Sequence, residues 1–370
     1  MAIVKIKSGT ETFSAAKAGT SYQMAAGEAI STGNFGIEAA GGAKGREIEI
    51  DGDVSATLAA MKLGANGGSA GAVDLTIGKE GSLSSNNTGL LAYAGDHLIR
   101  NAGEISGGTS GILVYGQQTI VSGGLISGGI GVDCVGVDGH GVILRNAGTI
   151  QGTSTAFRGG EFGDRIVNSG HLLGDVLLGA GDDSFAMTAV GDIVGKVRGG
   201  FGNDSYTLGR TGVQVMEENG QGWDTVRSSV DHGLANNLEV LRLIGKGDLT
   251  GSGNGDDNQL FGNAGDNVLY GGFGKDVING GRGDDILTGA FDADAFHFTR
   301  GTGTDAVFDF EPGIDEIHIH GLRGAVDFAD MMARHVTEVD GDIWITYGKD
   351  VIVLSDTSRA ELQGSDFVFI

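Results

Sequence analysis

Between Gly253 and His297 the sequence returns to one pattern every nine residues: GNGDDNQLF, GNAGDNVLY, GGFGKDVIN, GGRGDDILT and GAFDADAFH. A repeat this short has room for one turn and one short strand, so a chain that keeps it in register must coil and stack on itself. In this register Asn258, Asn267, Asp276, Asp285 and Asp294 occupy the sixth position, and Leu260, Leu269, Ile278, Leu287 and Phe296 the eighth. The glycines at the second and fourth positions, Gly272, Gly274, Gly281 and Gly283, let the turn adopt positive φ and aim its carbonyl oxygens at one point. The carboxylate that follows adds charge there, which makes an oxygen cage for a hard cation. The apolar eighth residue points inward onto its counterpart in the next coil, so one pattern encodes a site and a core together.

This run resembles the repeats-in-toxin (RTX) family of secreted bacterial proteins. The resemblance is specific over residues 240–320, where LRLIGKGDLTGSGNGDD leads into the repeats and DAVFDFEPGIDEIHI follows them. It implies a parallel β-roll with two nonapeptides per coil and Ca2+ ions between successive turns on the same edge. Carried onto this chain, it places Asn258, Asp276 and Asp294 along one edge and Asn267 and Asp285 along the other. Asparagine at the sixth position keeps an oxygen and loses the charge, so the first coil is expected to bind more weakly than the second. The resemblance also implies passage through a type I exporter that reads an uncleaved C-terminal signal, often an acidic residue followed by apolar ones. The chain ends Asp366, Phe367, Val368, Phe369, Ile370. A secreted, extracellular or cell-surface protein is therefore expected. Calcium sites of modest affinity stay empty inside a cell and fill outside it, which would postpone folding until after export.

Upstream, a longer repeat of the form IxNxGxI organises the chain. Its copies are IEIDGDV at 48, IGKEGSL at 77, IRNAGEI at 99, IVSGGLI at 120, LRNAGTI at 144, IVNSGHL at 166 and MTAVGDI at 187. A period of about 22 residues is one coil of a parallel β-helix, and stacked asparagines can form a hydrogen-bonded ladder along it. Turns resembling the nine-residue pattern also occur once per coil here: GGEFGDRIV, LGAGDDSFA, GGFGNDSYT and NGQGWDTVR. Their sixth-position residues Asp164, Asp183, Asp204 and Asp224 lie 19, 21 and 20 residues apart, and GGFGNDSYT supplies Gly200 and Gly202. They are expected to line one edge as a second calcium row.

The expected fold is all-β: a right-handed parallel β-helix continuing into a calcium-binding parallel β-roll, with a β-rich C-terminal cap. Residues 1–45 are expected to cap the first coil, 46–240 to form the helix with calcium-type turns from 159, and 241–300 the roll. Residues 301–370 would form the cap and export signal, with a short helix near 326–336. Composition agrees, with 71 glycines among 370 residues, Pro312 as the only proline and a net charge of −24. Lys and Arg total 24 without clustering, which argues against nucleic acid and anionic membranes as partners. No run of about 18 apolar residues is present to span a membrane, and the N-terminus lacks the apolar segment of a cleaved secretion signal. Cys134 is the only cysteine, excluding cysteine-based metal sites, and reads as a small buried apolar residue in VDCVGV.

Parallel β-helices commonly carry polysaccharide lyases, hydrolases and epimerases, so catalysis has to be weighed. The Asp-Pro-His-Glu segment of alginate epimerases and the HExxH of zinc proteases are both absent. Arg100 and Arg145 recur in one register without a neighbouring acidic cluster and read as solvated edge residues. Tyr93, Tyr115 and Phe157 are candidates for sugar stacking or for core. His318 and His320 alternate on one strand face, but a transition-metal site would need a third ligand. The sequence therefore favours a non-enzymatic, calcium-stabilised structural protein of a surface layer, filament or adhesin, with self-association and cell-surface polysaccharide as expected partners. A polysaccharide epimerase or lyase, or a calcium-dependent glycan-binding module, is the alternative.

Overall fold

The computed structural model describes residues 2–17, 20–39, 45–65, 71–135, 140–321 and 327–370. The chain is an all-β parallel solenoid organised as two compact units, one of residues 1–205 with 212–215, the other of 206–211 with 216–370. The division lies upstream of residue 240, where the sequence suggested the change from helix to roll.

In the first unit each coil is built from short strands such as His97–Asn101, Glu104–Gly107 and Ser110–Val114. Alternation decides their faces, because successive side chains of a strand point to opposite sides. Ile99 stacks in register on Ile120, then on Leu144, Ile166 and Phe185, all fully buried. Ile105, Ile126, Ile150 and Leu172 form a second such column. At roughly 1.5–3 kcal/mol for each fully buried large apolar side chain, these columns are the main favourable contribution to coil stacking.

The recurrence of glycine in the IxNxGxI motif has a steric origin. A Cβ on Gly124 would lie 2.1 Å from the Gly103 carbonyl oxygen, and one on Gly148 2.1 Å from that of Gly124. Those carbonyls accept from Leu125 N–H at 2.9 Å and Thr149 N–H at 2.9 Å, so any side chain at the corner would break the hydrogen bonds that join the coils. The asparagine two residues earlier points inward. Asn101, Asn146 and Asn168 are buried, and Asn146 Nδ2 donates to Asn168 Oδ1 at 2.8 Å, while Asn101 Nδ2 lies 3.4 Å from Ser122 Oγ. The expected ladder is present. The segment expected to be a cap at residues 1–45 is itself built of strands in this stack: Ala2–Ile6 pairs in parallel with Thr20–Met24, which pairs with Arg46–Ile50.

The second unit narrows to two strands per coil. Leu260, Ile278, Phe296, Ile317 and Phe367 form one inward column, and Leu269, Leu287, Val307 and Leu354 the other. The parallel pairing thus continues past the last nonapeptide into the strands Thr304–Val307 and Glu316–His320. The end of the unit adds antiparallel strands, Val336–Val339 on Asp342–Tyr347 and that on Asp350–Leu354. The expected short helix is Phe328–Arg334, capped by Asp327, whose side chain accepts from Asp330 N–H at 2.9 Å.

Candidate metal centre

The turns of the roll alternate between its two edges. Asn258, Asp276 and Asp294 fall in one row and Asn267 and Asp285 in the other, joined by a repeated bond in which each backbone N–H donates to the carboxylate one coil further on. Asn258 N–H reaches Asp276 Oδ1 at 2.8 Å, Asp276 N–H reaches Asp294 Oδ1 at 2.8 Å, and Asp294 N–H reaches Asp315 Oδ1 at 2.9 Å. On the other edge Asn267 N–H reaches Asp285 Oδ1 at 2.7 Å and Asp285 N–H reaches Asp305 Oδ1 at 3.1 Å. Asp315 was not singled out as a site residue by sequence. Its signal is the Asp-x-apolar triplet Asp315, Glu316, Ile317, which reproduces positions six to eight after a turn of irregular length.

Whether these turns suit a cation can be judged from the second carboxylate oxygen. Oδ2 of Asp276 and of Asp285 is buried and has no hydrogen-bond partner. A Cβ on Gly271 would lie 2.3 Å from the first, and one on Gly280 2.2 Å from the second, so glycine keeps the space beside each oxygen open. Gly272, Gly274, Gly281 and Gly283 take φ of 121°, 99°, 100° and 118°, the left-handed conformation expected of them. Burial, opposed by the backbone hydrogen bond and reinforced by neighbouring carboxylates, raises the pKa of Asp276 to about 7 and that of Asp285 to about 6. Asp294 is raised to about 6 and Asp305 to about 7, also mainly by burial. Stacked, dehydrated carboxylates with one oxygen unsatisfied fit a hard divalent ion, which supplies the missing charge and ligand partner.

The asparagine turns are arranged differently. Asn258 Oδ1 accepts from Asn254 N–H at 2.7 Å, and its Nδ2 donates to the Leu238 carbonyl at 2.9 Å. Asn267 Oδ1 likewise accepts from Asn263 N–H at 2.7 Å. Their second and fourth positions, Asn254 with Asp256 and Asn263 with Gly265, do not take the left-handed conformation. Here the amide accepts within its own turn and donates as well, from Asn258 to the neighbouring coil and from Asn267 to Asn263 Oδ1 at 3.3 Å, so less is left for an ion to satisfy. In the last turn Ala290 and Asp292 hold φ of 83° and 75° where the preceding units have glycine.

The first unit repeats the geometry once per coil. Val142 N–H donates to Asp164 Oδ1, Asp164 N–H to Asp183 Oδ1, and Asp183 N–H to Asp204 Oδ1 at 2.8 Å. Asp164 Oδ2 and Asp183 Oδ2 are buried without a hydrogen-bond partner, and burial raises these groups to about 6 and about 8. Gly200 and Gly202 take φ of 106° and 127°. Asp224, in the second unit, donates its N–H to Glu239 Oε2 at 2.6 Å. Glu239 was missed by sequence because glutamate replaces aspartate and the turn before it departs from the pattern; its signal is again the triplet Glu239, Val240, Leu241.

The other singled-out residues fall elsewhere. Arg100 is ion-paired with Asp74, and Arg145 is exposed. Phe157 is fully buried core, whereas Tyr93 and Tyr115 stack on each other with ring centroids 5.0 Å apart. Cys134 is buried, which pushes its thiol pKa well up. His318 and His320 gain a neighbour the sequence did not place, His297 on the adjoining strand, with His320 Nε2 3.1 Å from His297 Nδ1.

Residues 252–298 match the family model of the RTX calcium-binding nonapeptide repeat, in four copies. No curated protein matches the chain. Two solved structures are similar in part. One is the AlgE6R3 subunit of the Azotobacter vinelandii mannuronan C5-epimerase, 24% identical, over 36% of this chain and 86% of that one, with a TM-score of 0.28. The other is the extracellular lipase LipA of Serratia marcescens, 19% identical, over 69% of this chain and 40% of that one, with a TM-score of 0.31.

Proposed function

We propose that this chain, which carries RTX calcium-binding nonapeptide repeats, is a secreted structural protein that folds when calcium fills its turn rows outside the cell and then assembles into a surface coat or filament. The observation that carries the reading is the pair of edge rows in which the buried Asp276, on one edge, and Asp285, on the other, each keep one carboxylate oxygen without a hydrogen-bond partner. Such rows oppose coiling until a cation is present, so calcium concentration becomes the folding signal. Five of the proposed ligands lie in the roll: Asn258, Asn267, Asp276, Asp285 and Asp294. The additional ones are Asp164, Asp183, Asp204 and Asp224, the sixth-position residues of the longer-period turns. Neutralising part of the −24 charge lowers repulsion between subunits, which supports self-association over a freely diffusing monomer.

Calcium titration of the purified protein, followed by circular dichroism, light scattering and electron microscopy, tests this reading. Ordered assemblies that appear with calcium and dissolve in chelator are expected, without turnover of alginate or pectin. A protein that stays monomeric in calcium and depolymerises or epimerises either polymer would overturn the structural role in favour of an enzyme.

A further inference from the structure

The strands Ala295–Thr299 and Glu316–His320 pair in parallel, with His297 opposite His318 and Thr299 opposite His320. Phe296, Phe298, Ile317 and Ile319 take the inward positions and are buried, so His297, His318 and His320 lie together on the outer face, each partly buried. One nitrogen from each ring falls within 4.8 Å of the others, and two of the rings stack at 4.4 Å between centroids. We propose that these three histidines bind a transition divalent cation of the zinc class, at a site chemically separate from the calcium rows.

Three imidazoles suit Zn2+ and its borderline neighbours, whereas Ca2+ takes oxygen ligands, so the two kinds of site select different ions from one solution. Tetrahedral zinc with bonds of about 2.0–2.1 Å requires ligand nitrogens roughly 3.4 Å apart. The separation of 3.1 Å between His320 Nε2 and His297 Nδ1 is close to that already, and the three rings, stacked at 12–29° to one another, tilt apart on binding so that their in-plane lone pairs meet at one ion. Glu316 Oε2 lies 2.7 Å from His318 Nε2 and supplies the hydrogen-bonded carboxylate that metal-ligating histidines ordinarily carry. Because His297 belongs to one coil and His318 with His320 to the next, a bound ion ties two coils together from outside the core. Three protein ligands also leave one tetrahedral position for water or an external donor.

The competing account is a ladder of stacked imidazoles held by the His320–His297 hydrogen bond alone. Calorimetric titration of the calcium-saturated full chain with Zn2+ separates the two. One saturable zinc per chain is expected, unaffected by further calcium, with at least a tenfold loss of zinc affinity in His297→Gln and in His320→Gln and unchanged calcium binding in both. Co2+ added to the unmutated protein provides a readout independent of variant folding, namely the visible absorption of a tetrahedral nitrogen-ligated ion, lost on adding Zn2+. Absence of that absorption, zinc displaced by calcium, or variants that bind zinc as well as the parent would overturn the site.

Discussion

Replacing Asp276 by asparagine should shift stability in opposite directions with and without calcium. Asp276 is 1% exposed, its Oδ1 accepts from Asn258 N–H at 2.8 Å and its Oδ2 has no hydrogen-bond partner in the protein. Burial raises its pKa from 3.8 to about 7. A folded-state pKa above the unfolded one means that the stability this group contributes is fully present below about pH 4 and is lost as pH rises through about 7. At pH 8 the shift corresponds to at most about 4 kcal/mol, at ~1.4 kcal/mol per unit, and water entering the turn reduces this to roughly 2–3 kcal/mol. Asparagine keeps the Oδ1 acceptor and removes the charge, an arrangement Asn258 already shows in the preceding turn. With about 2–4 °C per kcal/mol for a unit of this size, Asp276→Asn should raise the calcium-free Tm at pH 8 by roughly 4–12 °C. In calcium the order should reverse once the ion is held at about 1,000 times its Kd, where one site adds about 4.1 kcal/mol, more than the variant gains, because the variant lacks the charged oxygen that holds the ion. Calorimetric melts of both proteins, in chelator and in excess calcium, provide the comparison. A variant less stable than its parent in both conditions would refute the argument, since the ionised carboxylate would then be stabilising by itself.

Calcium binding should release protons near pH 6, because Asp276 and Asp305 are raised to about 7 and Asp285 and Asp294 to about 6; titration heats that do not vary with the buffer's ionisation enthalpy would contradict this. By the same sign, the calcium-free roll should resist urea better at pH 5 than at pH 8, with calcium abolishing the difference. Asp276→Ala should release more bound calcium than Asn267→Ala, whose amide is already engaged with Asn263; equal losses would show that the asparagine turns bind as strongly. Ala290→Gly should stabilise the protein by about 1 kcal/mol, because Ala290 holds φ of 83°, and a lower Tm would count against strain there. Asn168→Ala should cost about 1–3 kcal/mol in denaturant melts by taking away the acceptor of Asn146 Nδ2 and leaving a gap in the buried ladder.

Much of the solenoid was legible because each element of its repeat answers a local demand. An apolar residue at every eighth position, glycine where the turn needs positive φ, and asparagine before a crowded corner can be read from the chain without knowing its neighbours. The rows of Asp276 with Asp294, and of Asn267 with Asp285, follow from the same regularity, since two nonapeptides make a coil and return each sixth-position residue to the same edge.

What periodicity could not supply lies where turn length changes while strand register does not. Phe296 sits 18 residues from its partner Ile278 but 21 from Ile317, because the segment FEPGID lengthens that coil. That extra length hid Asp315 from the row and put His297 beside His318 and His320, a cluster invisible as a spacing. The amide closure of the Asn258 turn likewise depends on the Leu238 carbonyl, 20 residues away on another coil. Local sequence thus determined which residues face inward and which turns can hold an ion. Which side chains meet across coils was decided by backbone hydrogen-bond register in the tertiary structure, because that register is kept by inter-coil bonds and stacked apolar residues whatever the length of the loop between them.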